Sequence, residues 1–470
     1  MDNSARSAEG LLTFRNSQEL ISRGTIMHLS RNLVVFEVYN PYSIVQLSEV
    51  LRDLNIIRSE RTIYTGRAVV SNLVNTGLML IVSATLVDSW ADLKSDKTGR
   101  TFAEEVDGFV QDWESASRCI IPAYRTSVSC IRNFLEELSQ WLAQGEILAG
   151  IVDSQLTDTE TRQFVQQVES SVMPKLIELF STFEEVARQV PQMQLTTHKV
   201  FARREIHPLI LCSPFIHRAF SKPLGYAGDY EMVNMLLRDP WEGASTYAKI
   251  INAIILRSDG AQAHRNRIVK LYHYLEQEAI RVKQLGRPLR VLNVACGPCA
   301  EVLQFITSSV HSQNCELTLL DFNAETLEYT RVKIQEAVRA SGRQLSVVFV
   351  HKSIHELLLE AKGRRDIPIV PTHDFVYCAG LFDYLSDRIC ARLLDLFYRW
   401  TEPGGLVVAT NVHPRNPVRY LLEHLLEWNL IYRDQAQLLA IKPAASDSIV
   451  SDEATKMNLF LESRKTGVTP

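Results

Sequence analysis

Apolar positions along the chain fall into three regimes of spacing. From about residue 20 to 90 they come in short β-branched runs: 24–30, 33–39, 62–64, 68–70 and 78–87, broken by Gly, Asn and Pro41. Such runs predict the strands of a small barrel or sandwich. From about 100 to 200 they recur at steps of three and four: Phe109, Trp113 and Ala116, then Ile131, Phe134, Leu135, Leu138, Trp141 and Leu142, then Val168, Val172, Leu176, Leu179 and Phe180. This spacing predicts amphipathic helices, whose apolar faces pack on one another or pair two copies of the chain as a homodimer. Beyond 285 strands and helices alternate. Strands are expected over 290–295, 317–320, 346–350, 374–378 and 406–410, and helices over 300–309 and 324–340. Alternation of this kind predicts a doubly wound parallel sheet. The chain thus reads as α/β: a β-barrel over 1–95, a helical bundle over 96–200, a helical lid over 201–285 and a Rossmann-like domain over 286–470.

Composition narrows the class. The 470 residues carry 50 Lys+Arg against 54 Asp+Glu, a net charge of -4, with 46% hydrophobic residues. That is enough apolar surface for a packed globular protein. The mild acidity speaks against a nucleic-acid partner, which favours a basic stripe. Eight cysteines are too sparse for a disulfide scaffold. The longest apolar run, 78–87, is about half the roughly twenty residues a membrane span needs. The polar start shows no secretory signal, so a cytoplasmic chain with reduced thiols is expected.

The chemistry concentrates after residue 290. Val291-Leu292-Asn293-Val294-Ala295 runs into Cys296-Gly297-Pro298-Cys299 and a helix, and the next strand ends at Asp321. This is the arrangement of a nucleotide-type ligand at a βαβ switch point, with the acid accepting both ribose hydroxyls. The G-x-G-x-x-G that cradles a pyrophosphate is absent, so a phosphate-free group such as S-adenosyl-L-methionine fits better. The C-x-x-C pair also permits a redox reading, which leaves Asp321 unexplained. No second pair follows at zinc spacing, and no metal site is expected.

Upstream, Gly225 and Gly228 bracket Tyr226 and Ala227, and Asp229 follows. Asp229 either faces a pocket or caps a helix over 230–237. Arg265-Asn266-Arg267 either forms a solvated basic face or lends an arginine, assigned to Arg265, to a ligand carboxylate.

The segments VLNVACGPCAE, LTLLDFN, VFVHKSIHEL, HDFVYCAGLFDYLSD and EPGGLVVATN resemble class I S-adenosylmethionine-dependent methyltransferases. Asn293 replaces the usual acid, and Ala295 and Cys299 stand where glycines are common. KPLGYAGDYEMVNM, AHRNRI and LLEWNLIYRD are similar to bacterial methyltransferases of extracellular factor 3-hydroxypalmitic acid methyl ester biosynthesis. GTIMHLSRNLVVFEVYNP and RTIYTGRAVVSNLVNTGLMLIVSATL resemble a PilZ-like domain. Ser30 of its turn motif is kept, but the acid, the glycine and the paired arginines are not, so the fold is expected without nucleotide binding.

The resemblance implies a role for each matched residue. Asn293, Ala295, Cys296 and Gly297 would line the methionine part, and Asp321 would take the ribose. Phe322 and Asn323 would lie beside the adenine, with Lys352, Ser353 and Ile354 at its edge. Cys378, Ala379 and Gly380 would lie under the methionine. The acceptor pocket would draw on Phe382, Trp428, Tyr432 and Arg433, with Tyr226, Asp229 and Tyr384 as catalytic residues. Trp428, Ile431 and Tyr432 also have the spacing of a packed helix face. A carboxylate acceptor needs no base, whereas a hydroxyl could use Asp229, Asp383, His351, His355 or His413. The expected activity is methyl transfer to a small molecule, plausibly a 3-hydroxy fatty acid made into a signalling ester. The alternatives are a sensor with a cofactor-binding fold, or another small-molecule or protein acceptor.

Overall fold

The structure, a computed structural model, describes residues 11–39, 45–58, 61–75, 79–88, 90, 102–148, 157–363, 372–444 and 446–466. Pro41 and Leu78 of the expected strand pattern lie outside them. Six strands open the chain: β1 (Leu11–Arg15), β2 (Ile21–Leu29), β3 (Leu33–Tyr39), β4 (Val50–Arg58), β5 (Arg61–Asn75) and β6 (Met79–Leu86). They close into a barrel in the order β1-β2-β3-β6-β5-β4. Alternate residues, such as Val34, Phe36 and Val38 or Leu80, Val82 and Ala84, fill its interior. Closure removes the sheet edges that a sandwich would leave exposed. The two runs expected at 62–64 and 68–70 are one continuous strand. β1 and β4 carried no clear signal, and in β4 the alternation is broken by Asp53, at φ +47°, inside a register shift between Leu51 and Leu54.

Eight helices follow: α1 (Phe102–Cys119), α2 (Pro122–Leu148), α3 (Asp158–Ala187), α4 (Leu195–Ile210), α5 (Pro214–Ser221), α6 (Tyr230–Leu237), α7 (Thr246–Leu256) and α8 (Asp259–Lys283). The expected faces of α2 and α3 do pack inward, through Ile131, Leu135, Leu138, Leu142, Leu176 and Phe180. Two aromatics do not follow the pattern: Trp113 and Trp141 are 56% and 62% exposed. The side chains of Phe109 and Ala116 lie outside the described residues.

The remainder alternates β7 (Arg290–Val294), α9 (Ala300–Ser308), β8 (Glu316–Asp321), α10 (Ala324–Ser341), β9 (Ser346–His351), α11 (Ile354–Gly363), β10 (His373–Cys378), α12 (Asp387–Trp400) and β11 (Thr401–Val412). Then come α13 (Arg419–Leu425), α14 (Gln435–Ala440), β12 (Asp447–Asp452) and β13 (Asn458–Arg464). The strand order is β12-β13-β11-β10-β7-β8-β9. β7 to β11 are parallel, whereas β13 runs antiparallel between β11 and β12. The sheet is therefore Rossmann-like and mixed, with two strands more than the sequence pattern predicted. Strand order reverses between β7 and β10, which opens a crevice at their carboxyl ends. α13 leaves this domain and buries Leu421, Leu422 and Leu425 in the helical core.

Candidate active site

At the switch point the chain makes a coil of left-handed residues. Ala295, Gly297 and Cys299 have φ of +56°, +54° and +54°. In the two non-glycine residues this conformation costs roughly 1–3 kcal/mol each and persists only where the surroundings impose it. A Cβ on Gly297 would meet nothing within 4 Å, so the coil presents bare backbone to open space. Cys299 is the N-cap of α9 without a side-chain cap bond, leaving N–H groups of the first turn free.

Acids gather around this coil. Asp321 ends β8; its carboxylate accepts from the backbone N–H of Gly297 (3.1 Å) and Asn323 (3.0 Å). Burial pushes its pKa up against those bonds. Glu301, in the first turn of α9, accepts from the Tyr377 hydroxyl (2.7 Å) and the Asn293 amide (3.2 Å). Burial raises it too. Asp383 accepts from the Val412 N–H (2.7 Å) and is pushed by burial to about 6. Opposite stands Arg267 of α8, buried, with no carboxylate within 4.0 Å among the described residues; its guanidinium lies against the His264 ring (2.7 Å to Nε2). Burial and the arginine beside it hold His264 neutral, its pKa well below the usual imidazole range. A guanidinium out of water without an anion is costly, by several kcal/mol.

One cavity joins these groups. Its lining includes Asn293, Ala295 to Glu301, Asp321 and Phe322, with Ala379, Gly380, Leu381, Asp383 and Tyr384 beneath them. An apolar lobe continues from there along Phe215, Met232, Val233, Leu236, Ile268 and Leu422. The empty volume, including the space open to solvent at its mouth, is about 1610 Å³. Aromatic groups mark the junction. The Tyr226 and Phe322 rings lie 5.0 Å apart, and the Trp428 indole N–H donates to the Tyr384 hydroxyl (2.9 Å). Gly228 (φ +73°) lets this pair approach, since a Cβ there would lie 2.9 Å from the Tyr384 oxygen.

Of the residues given a site role from the sequence, the cavity brings together Tyr226, Tyr384, Asn293, Ala295, Cys296, Gly297, Asp321, Phe322, Ala379, Gly380, Asp383 and Trp428. The others lie apart from its walls. Asp229 is the N-cap of α6, accepting from the N–H of Glu231 and Met232 (both 3.0 Å) and paired with Arg218 (2.9 Å). Its carboxylate is committed to these bonds and, unlike Asp383, does not line the cavity. Arg265 donates to the carbonyls of Leu236 (3.1 Å) and Leu256 (3.0 Å), outside the cavity, so the inward arginine is Arg267. Asn323 caps α10. Lys352 pairs with Glu360 (2.8 Å), Ser353 bonds Glu356 (2.9 Å), and Ile354 packs in the sheet core. Cys378 and Phe382 are fully buried core residues. Arg433 is locked by Asp387 (2.7 Å), Asn411 (2.6 Å) and the carbonyls of Phe382 and Leu385. Tyr432 lies under the Arg419 guanidinium, 4.5 Å from its ring centre. The His351 Nε2–H donates to the Phe322 carbonyl (2.7 Å), and neither His351, His355 nor His413 lines the cavity.

The lining residues without a cofactor or acceptor role assigned from sequence include four polar ones that matter here: Gln46, His264, Arg267 and Glu301. For Arg267 a signal existed. It falls in phase with Ala263 and Leu271 on the apolar stripe of α8, while Arg265 does not. The two thiols of the coil stay protonated. A bond with Cys299 lowers Cys296, but burial and the Asp321 and Glu301 charges leave it raised; burial raises Cys299 far more. Neither has the lowered pKa that thiol chemistry requires.

No family model matches the chain, and no curated protein does. Solved structures share its arrangement of elements at low identity. A protein of Bordetella parapertussis described as a possible exported protein is 16% identical, over 64% of this chain and 97% of its own, with a TM-score of 0.41. Magnesium protoporphyrin IX methyltransferase from Synechocystis PCC 6803, with bound SAH, is 10% identical over 57% of this chain and 99% of its own (TM-score 0.35). The N-methyltransferase NodS from Bradyrhizobium japonicum WM9, also with SAH, is 15% identical over 50% of this chain and 97% of its own (TM-score 0.29). The fold assignment itself stands on the strand order and register described above.

Proposed function

We propose that the chain is an S-adenosylmethionine-dependent methyltransferase acting on an amphiphilic small molecule, of which a 3-hydroxy fatty acid carboxylate is the best fit. The observation that carries this reading is the charge pattern of the crevice: three buried carboxylates, Glu301, Asp321 and Asp383, face one arginine, Arg267. A ligand with two positive groups and one carboxylate offsets all but one negative charge of that set, and the remaining acid, Asp321, is left for neutral hydroxyls. A pyrophosphate does not, because Glu301 stands in the very helix turn that would bind it. Asp321 would take the ribose hydroxyls, with Phe322 and Tyr226 flanking the adenine. Arg267 would pair the cofactor carboxylate and Glu301 its ammonium. Bound there, the cofactor supplies an electrophilic methyl group on a sulfonium.

The chain's own part is positioning and exclusion of water. The apolar lobe would hold an alkyl chain, and the Tyr384 hydroxyl, fixed by Trp428, would orient the reacting head. A carboxylate acceptor is already ionised at neutral pH. For a hydroxyl acceptor Asp383 is the acid in the cavity, ionised above about pH 6. The aromatic junction separates the donor end from the apolar lobe, as an in-line displacement at carbon requires.

Asp321→Ala and Asp321→Asn test the assignment by calorimetry with S-adenosylhomocysteine. Loss of two charge-assisted bonds is expected to weaken binding about 100-fold or more, with little change in the melting temperature of Asp321→Asn. Unchanged affinity in both variants removes the cofactor assignment. Comparison of lipid extracts from cells with and without the protein, scanned for a one-methyl mass shift, tests the acceptor class.

A further inference from the structure

The barrel reaches into this cavity. Residues 45–49 form a bend and turn ahead of β4, in which Val45 and Leu47 are buried in the barrel core while Gln46 lines the cavity. The segment is fastened from both sides. The Glu49 carboxylate, buried, accepts from the Ser17 N–H (2.7 Å), the Ser17 hydroxyl (2.5 Å) and the Gln46 N–H (2.7 Å). The Ser48 hydroxyl donates to the Asn429 carbonyl (2.9 Å) and accepts from its N–H (2.5 Å). The Val50 N–H donates to the Gly225 carbonyl (2.8 Å), and Arg52 to the Pro223 carbonyl (3.2 Å). These bonds go to the two loops that carry Tyr226 and Gly228 on one side, Trp428 and Leu430 on the other. The position of Gln46 is thereby fixed, yet its side-chain amide makes no hydrogen bond to a described residue. The cavity that it lines has the apolar side chains of Ala227, Met232, Trp428 and Leu430 among its walls.

A polar group held rigidly on an apolar wall, with its own capacity unspent, is the form in which binding sites supply orientation. We propose that Gln46 is a positioning residue for the methyl acceptor, its amide N–H donating to an oxygen of the acceptor's polar head, and that the barrel is a working wall of the acceptor pocket. The inference rests on the methyl-transfer reading in calling the ligand an acceptor. Its chemical class is an alkyl chain bearing a carboxylate or hydroxyl.

The test uses the full chain and two probes: S-adenosylhomocysteine for the cofactor half, and cis-parinaric acid, a fluorescent eighteen-carbon carboxylic acid, for the lobe. Gln46→Ala is expected to weaken parinarate more than fivefold and to leave S-adenosylhomocysteine affinity within twofold. Gln46→Glu is expected to weaken parinarate further, because a second carboxylate repels the first. A merely structural role would not produce that order, nor spare the nucleoside. The proposal is overturned if the unaltered protein binds no parinarate, if Gln46→Ala costs less than fivefold, if Gln46→Glu is no worse than Gln46→Ala, or if nucleoside affinity falls in parallel. Failure of the unaltered protein to bind S-adenosylhomocysteine would count against methyl transfer alone, since the parinarate series is read independently.

Discussion

Arg267 makes the sharpest prediction at the scale of single residues. Arg267→Met keeps the aliphatic stem and removes the charge. It is expected to weaken S-adenosylhomocysteine roughly 10- to 100-fold and to leave 5′-methylthioadenosine, which lacks the amino-acid end, unchanged in calorimetry. Equal losses for both ligands would place the arginine elsewhere in the mechanism. Several residues were legible in the sequence because the backbone demands them. Asp321 sits at a strand end, and Gly297 in a left-handed turn (φ +54°) that glycine adopts at no steric cost. Arg265 and Arg267, two positions apart, differ only in helical phase, and a motif read as a string does not carry phase. Asp229 shows the opposite difficulty: the same residue type serves as catalytic acid and as helix cap, and only its bonds to Arg218 and the α6 backbone decide.

At the scale of elements, strands buried on both faces were readable as unbroken apolar runs, as in β7, β8 and β10. β12 was not, since none of its residues is fully buried and its sequence, DSIVSD, is mostly polar. The turn over 45–49 has its own signature. Burial pushes Glu49 up to about 7, from an ordinary value of 4.5. The folded chain therefore keeps this proton where the unfolded chain has lost it. The group's contribution to stability is fully present below about pH 4.5 and falls as pH rises to about 7, by an amount on the order of 3 kcal/mol. Glu49→Gln does not titrate. Urea unfolding near pH 4 and near pH 8 is expected to show the variant gaining on the unaltered protein by that margin at the higher pH. A constant difference across the two conditions would mean that folding leaves the Glu49 pKa unchanged.

At the scale of the whole molecule, the three regions share more than a linker. α13 belongs in sequence to the sheet domain and in space to the helical core, where it meets α3 and α4; its backbone N–H groups at Tyr420 and Leu421 donate to the buried Glu184 of α3 (2.9 and 2.6 Å). A fragment starting at residue 286 would expose Leu421, Leu422 and Leu425 together and leave the crevice without Arg267. Such a fragment is expected to aggregate at micromolar concentration and to bind no S-adenosylhomocysteine, as light scattering and calorimetry would show; a monomeric fragment with full affinity would mean that the helices are dispensable. This dependence was not legible as sequence, because domain boundaries were drawn where the periodicity changes, and packing does not respect that line.

The cavity is lined by Gln46 near one end of the chain and by Met457 and Asn458 near the other. During synthesis the barrel can close early, since its partners are all local. The crevice cannot be finished until the segment carrying Asn458 has left the ribosome and docked. A product terminated before this segment therefore lacks part of the cavity wall, whatever else of it has folded.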